Sequence, residues 1–305
     1  MRAAFVVSGT HGSQVYALLL AGALLRYNRP VWEDAAMTEA DKVFAGSIPA
    51  LYERFMVPMI FIPYAGEMAS RVAVLRPATV LELAAGTGVA TRAMAEKLPE
   101  MTAITATDLN QPMIDLAMTL QETGNVLWQQ ADAMALPFAD HAFDAVVCQF
   151  GVMFFPDKVA SYREVRRVLK PRGAYLFAVW DGIENNAFVG VVSEVLSKRF
   201  ADNPPQFMRR APHGYHDLGL IDGQLRAAGF SAVETETLKL AGRSPSALDA
   251  ATGYCQANPM RNEIEERAPG ELQAVTELVA EALEKRFGSG PIEGGLSAHL
   301  VTARG

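Results

Sequence analysis

Half of the 305 residues are hydrophobic, enough to bury a sizeable core as one large domain or as one domain with appended caps. The net charge of −7 and a pI near 5.4 argue against a nucleic-acid backbone or an anionic membrane surface as the main partner, because both attract basic patches. A small-molecule substrate fits better, and the two cysteines, Cys148 and Cys255, build neither a disulfide framework nor a paired-cysteine metal site, which suits a reducing, cytoplasmic compartment.

The apolar run from Val15 to Leu25 is eleven residues, too short for the roughly 17–25 that span a bilayer, so no stable membrane insertion is expected. As a signal peptide it lacks a basic start beyond Arg2, and it ends in RYNRP without a small-residue cleavage site. Residues 1–36 therefore read as a leader or extension outside the fold. Residues 37–72 follow as one or two helices rich in Phe44, Tyr52, Phe55, Met59, Phe61 and Tyr64, a segment that must pack on a sheet edge or lie over a site as a lid. From 73 to 305 the main domain alternates β-branched runs with helical periods, the pattern of a parallel sheet with crossover helices.

Its strands are expected at 79–84, 103–108, in NVLWQQAD, at 143–150 and at 174–180, with helices through Ala93, from Pro112 to Gly124, and over 157–169, the last stopped by KPRG at 170–173. After Asp181 come substrate-side insertions: a helix near 187–200, a Pro-rich loop 203–212, a helix ending at Gly229, a strand 231–240, a long helical stretch 260–287 and a short terminal strand SAHLVTAR.

The chemistry gathers at strand ends. Glu82-Leu83-Ala84-Ala85-Gly86-Thr87-Gly88 turns the first strand into the first helix, where open parallel sheets bind ligands and glycines admit a ligand to the backbone. Asp108 closes the second strand, placed to accept both hydroxyls of a ribose or, more simply, to cap the next helix. Asp132-Ala133 after the third strand can meet an adenine edge, with Met113 as a polarisable cover. A nicotinamide-dependent dehydrogenase is the first rival; its G-x-G-x-x-G fingerprint would need Gly or Ala where Thr91 stands, and it leaves Asp132 unexplained. A protein that binds the nucleoside without transferring anything is the second.

From about Asp41 to Trp180 the chain resembles the class I S-adenosylmethionine-dependent methyltransferases, in particular the ubiquinone/menaquinone-biosynthesis (UbiE-like, type 11) group, through VLELAAGTGVAT, TATDLNQPMIDLA, QADAMALPFADHAFDAVVCQFGVMFFPD and REVRRVLKPRGAYLFAVW. The resemblance implies a doubly wound, Rossmann-like α/β fold with a seven-stranded, mostly parallel sheet, an antiparallel last strand and an N-terminal helical lid. It also implies S-adenosylmethionine as cofactor. Its binding set would then comprise Tyr52, Glu82, Ala84, Gly86, Thr87, Gly88, Asp108, Leu109, Met113, Asp132, Ala133, Gln149 and Phe150. Ala84 and Gly86 would hold the methionine part, Asp108 the ribose, Asp132-Ala133 the adenine, and Gln149-Phe150 would border the sulfonium. Ala84 departs from the group, which often has a glycine there. Tyr52 is a lid contact to the cofactor or plain core packing.

For a base, His213, Tyr215 and His216 are the candidates, against a surface loop whose Asp217 caps a helix. Asn203-Pro204-Pro205-Gln206 mimics the box of planar-amine methyltransferases but lies far from the end of the fourth strand, where that box belongs. Phe55, Met59 and Phe61 with Met153, Phe154 and Phe155 suggest an apolar pocket for a lipophilic or aromatic acceptor. No metal is implied by the five histidines, and the sequence names neither the acceptor nor the oligomeric state.

Overall fold

The computed structural model describes residues 38–121 and 125–305; the expected leader and the helix stop at Gly124 lie outside the described residues. Seven strands form one sheet: β1 (Thr79–Glu82), β2 (Ala103–Asp108), β3 (Val126–Gln130), β4 (Phe143–Gln149), β5 (Leu169–Trp180), β6 (Ala232–Ser244) and β7 (Ile292–Arg304). Their order is β3-β2-β1-β4-β5-β7-β6, with β1 to β5 parallel and β7 antiparallel to both neighbours. Val80 pairs with Ile104 on one side and Ala145 on the other, so the first strand sits at the switch in strand order. β4 and β5 are buried along nearly their whole lengths, as strands covered on both faces must be, and their side chains from Ala145 to Trp180 form the centre of the core.

The helical segment before the sheet consists of α1 (Ile48–Leu51), a π-helical stretch Tyr52–Phe61 and α2 (Ile62–Leu75). Pro58 lies inside the π stretch, where it has no N–H to give and its ring would press on the preceding turn of an α-helix; the winding here is wider, and it ends with the Ile62 N–H on the Val57 carbonyl. Between the strands run α3 (Val89–Lys97), α4 (Gln111–Leu120) and α5 (Lys158–Val168). Asp157 caps α5 by accepting the Ala160 N–H at 2.9 Å, and Arg166 and Arg167 oppose the dipole at its other end.

The second half departs from expectation in several places. Lys170-Pro171-Arg172-Gly173 is not a separate turn: α5 stops before it, and the four residues enter β5 through an irregular register with β4 around Phe143. After α6 (Ala187–Arg199), the Pro-rich loop contains a short α7 (Phe207–Arg210), and α8 (Leu218–Ala227) is capped by Asp217, which accepts the Gly219 and Leu220 N–H groups. A helix not foreseen, α9 (Ala247–Gln256), follows β6. The expected long helix is two, α10 (Met260–Arg267) and α11 (Leu272–Phe287), because Pro269 cannot continue the first and Gly270 turns with φ +78°. The terminal strand pairs with β6 over thirteen residues rather than eight. No helix among the described residues is long and apolar enough to cross a membrane.

Candidate functional site

The carboxyl ends of β1 to β5 open into a cleft between the sheet, the π stretch and the insertions after β5. Its floor is the turn after β1. Ala84 and Gly86 line it with φ of +51° and +57°, and Gly88, at +86°, backs onto Trp128, whose ring would lie 2.7 Å from a Cβ at that position. Ala84 is thus a non-glycine residue in the left-handed region, and the protein makes room for its methyl group elsewhere. Gly151, after β4, lies against it; a Cβ on Gly151 would collide with the Ala84 methyl and fall 2.7 Å from the Cys148 sulfur. The glycine absent at position 84 is therefore matched by one across the cleft floor.

Asp108 ends β2 buried, with Oδ2 accepting the Gly86 N–H at 2.8 Å and Oδ1 the Asn110 N–H at 2.8 Å. Burial pushes its carboxyl up, and those backbone donors work against the rise. No cation is bonded to it among the described residues, so it keeps acceptor capacity for a neutral donor pair. Met113 (buried), Leu109 (exposed), Asp132 and Ala133 continue the same wall, Asp132 holding its own loop by accepting the Met134 N–H at 2.9 Å. Glu82, Thr87 and Gly88 are not lining residues. Glu82 lies behind the floor, bonded by the Thr91 hydroxyl at 2.5 Å and pushed up to about 8 by burial, and the Thr87 hydroxyl is buried without a partner.

At the end of β4, Gln149 gives its amide to the Phe61 carbonyl at 3.3 Å and leaves Oε1 buried and unpartnered at the cleft. Phe150 follows with φ +55° and stacks on Trp180 of β5 at 3.9 Å, the two rings 7° from parallel. Two strained non-glycine residues, Ala84 and Phe150, thus meet on one surface, as ligand sites often require.

The segment before α2 closes the top. Lys42, Phe44, Tyr52, Met56, Ile60 and Phe61 line the cleft, and Tyr52 packs edge-on against Phe44 and tilted on Phe61. Burial, then the charges of Asp108 and Glu53, push the Tyr52 phenol up, so it stays protonated. Three ties hold this segment down. Asn110 accepts the Phe44 N–H at 3.1 Å, Arg92 joins Glu53 (2.8 Å) to the Thr87 carbonyl (2.6 Å), and the half-buried Arg210 of α7 bridges Asp41 (2.5 Å) and Glu263 of α10 (2.7 Å).

The far half is apolar: Phe154, Phe155, Trp180, Phe207, Met208, Tyr254 and Leu296. Asn186 pins its rim, giving its amide to the Ser297 carbonyl (3.1 Å) and accepting the Ser297 N–H (3.0 Å). His213 lines this half, buried, with Nδ1 2.8 Å from the Asp181 carbonyl. A carbonyl only accepts, so Nδ1 carries the proton and Nε2 keeps its lone pair; burial lowers the imidazole to about 4, leaving it neutral at pH 7. Tyr215 and His216, grouped with it in the sequence, are not among the lining residues. The Tyr215 hydroxyl is buried against Tyr162 (3.0 Å) and Gln224 (2.5 Å), and His216 is exposed with Nδ1 on the His213 carbonyl. Asn203-Pro204-Pro205-Gln206 is outside the cleft, tied to Arg267 and Glu263. Sequence reasoning missed Trp180 as a site residue, although it ends β5 where such sheets bind ligands; Tyr254 and Asn258 carried no comparable signal.

Residues 80–173 match the methyltransferase domain family. A demethylmenaquinone methyltransferase of Lactiplantibacillus plantarum is 33% identical over 153 residues, 49% of this chain and 63% of that protein. The ubiquinone/menaquinone biosynthesis C-methyltransferase UbiE of Klebsiella pneumoniae is 38% identical over 107 residues, 34% of this chain and 43% of that protein. The chain thus spans about half the length of the curated relatives it matches. Among solved structures, YcgJ of Bacillus subtilis superposes with a TM-score of 0.51 at 20% identity, covering 80% of this chain and 99% of its own. Phosphoethanolamine N-methyltransferase 2 of Haemonchus contortus, in complex with S-adenosyl-L-methionine, gives 0.56 at 14% identity, covering 91% of this chain and 60% of that one. The strand order and the matched segment agree: residues 80–173 form a methyltransferase domain, and the chain is similar there to methyltransferases of the UbiE-like group.

Proposed function

We propose that the protein transfers a methyl group from S-adenosylmethionine to a small lipophilic or aromatic acceptor, acting in the cytoplasm and not on nucleic acid. The observation that carries this is the wall of the cleft: a buried Asp108 without a cation, beside the left-handed Ala84 and Gly86 and lining the same cleft as Gln149, whose Oε1 is unpartnered. The donor set fits an adenosyl sulfonium. Asp108 would take the ribose hydroxyls, Asp132 and Ala133 the adenine edge, Met113 its face, and Gln149 Oε1 would lie towards the positive sulfur. Bound there, the cofactor supplies an electrophilic methyl group. The same reading makes residues 37–72 the lid and 73–305 the transferase domain, with Tyr52 on the cofactor and the Arg92 and Arg210 ties keeping water out.

The acceptor side follows from its lining. A ring between Phe154, Trp180 and Phe207 would meet apolar and aromatic faces, and the uncharged Nε2 of His213 would take the proton that a hydroxyl or an activated carbon gives up on methylation. Tyr215 and His216 stand outside this role in the proposal. Calorimetry with S-adenosylmethionine and with its demethylated product, followed by transfer of labelled methyl to hydroxylated aromatic acceptors, tests the whole reading. Binding without transfer to any acceptor would leave a cofactor-binding protein, and a response to NADH in place of the sulfonium would restore the dehydrogenase.

A further inference from the structure

At the other end of the sheet, where β4 and β5 begin, a second hollow lies between α5, the start of β5 and the turn from α8 to β6. Its lining is basic in a chain of net charge −7. Two of its cations are neutralised: Arg167 by Glu164 and Asp140, and Lys170 by Asp144. Arg163, Arg166 and Arg172 are not; none has a hydrogen bond or ion pair among the described residues. Guanidinium groups around one concavity repel each other; Gly305 of the lining lies against the Arg166 guanidinium, but no acidic side chain is paired with these three among the described residues.

Two further features set these residues apart from an ordinary solvated face. Arg166, exposed like Arg163 and Arg172, passes over Gly229, where a Cβ would fall 2.9 Å from its Nε. Arg172 has φ +73°, a conformation that glycine adopts freely and that costs another residue about 1 kcal/mol. The dipole of α5 accounts for a cation at its last turn but not for Arg163, a turn earlier, or for a strained arginine on the adjoining strand.

We propose that this hollow binds a phosphate dianion, free or as a monoester, through Arg163, Arg166 and Arg172, independently of methyl transfer. Guanidinium forks match phosphate oxygens in geometry and charge. The test uses the full chain at fixed ionic strength. Calorimetric titration with inorganic phosphate and with glycerol phosphate is expected to show one site, weakened about ten-fold by Arg166→Ala and by Arg172→Gly. Arg172→Gly relieves its own backbone, so its melting temperature should hold or rise while binding falls, which separates lost recognition from lost folding. Co-sedimentation with phosphatidylcholine vesicles, with and without phosphatidic acid, distinguishes the sources. Vesicle binding that needs phosphatidic acid and is lost in Arg172→Gly, with no binding of the soluble phosphates up to about 10 mM, assigns the site to a lipid headgroup. No binding to any of these probes, or binding that neither variant weakens, overturns the proposal.

Discussion

The two halves of the cleft are built in different ways. The half under Ala84, Asp108 and Asp132 comes from consecutive strand ends, and its geometry is set by the backbone: left-handed φ values at the floor and an Asp108 that ties two loops through Gly86 and Asn110. The half around Trp180 and His213 is assembled from β5, α7, α9 and β7, separated widely in sequence and joined by side chains such as Asn186 and Arg210. Recognition of a fixed cofactor needs only local pattern, whereas a pocket for a particular acceptor depends on long-range packing.

That division is open to breakage. Asp108→Ala should cause the largest change, weakening S-adenosylmethionine on the order of a thousand-fold in calorimetry, since two hydrogen bonds to a charged acceptor are lost together. Trp180→Ala, by contrast, should alter cofactor affinity little and acceptor KM strongly. Comparable losses of cofactor affinity in both variants would merge the halves.

The same division explains what was legible beforehand. Strands β1 to β5 and the cleft wall at their ends were readable because β-branched runs end in Gly and Asp at fixed steps. α9 was not: ALDAATGYCQ carries an N-cap in Ser246 but is so rich in alanine, with an internal Gly253, that its pattern is weak. Gly253 is instead a packing residue, where a Cβ would meet the Met56 sulfur at 2.9 Å. The base candidates were found as a cluster, yet only tertiary structure separates His213, at the cleft, from Tyr215 in the core and His216 in solvent.

On the acceptor side, Arg210→Met should destabilise the fold by about 3 kcal/mol in denaturant unfolding, because Asp41 and Glu263 would then face each other without a cation. The segment from Asp41 to Phe61 should loosen with it, speeding cofactor release in stopped flow. His213→Gln should leave cofactor affinity unchanged and lower kcat about 100-fold. With the imidazole at about 4, activity should lose its base only as pH falls through about 4 and not near 6.5. Stability moves in the same sense. The unfolded histidine takes a proton near 6.5 and the folded one does not, so the stabilising contribution is complete above about 6.5 and is lost as pH falls to about 4. His213→Gln should flatten urea midpoints across that window.

The smallest effect belongs to the cleft floor. Gly151→Ala should cost about 1–2 kcal/mol by overpacking, read as a lower melting temperature, because the new methyl meets Ala84 and Cys148 at once. Ala84→Gly should be neutral or slightly stabilising in the fold, since it relieves φ +51°. The double variant moves the methyl group across the floor, from a left-handed position to one with φ −107°, and should recover part of the loss. Cys148 still crowds the new methyl, so recovery should be incomplete. Simple additivity of the two changes would mean that Ala84 and Gly151 do not share a space, and the floor would then owe its shape to the strand ends alone.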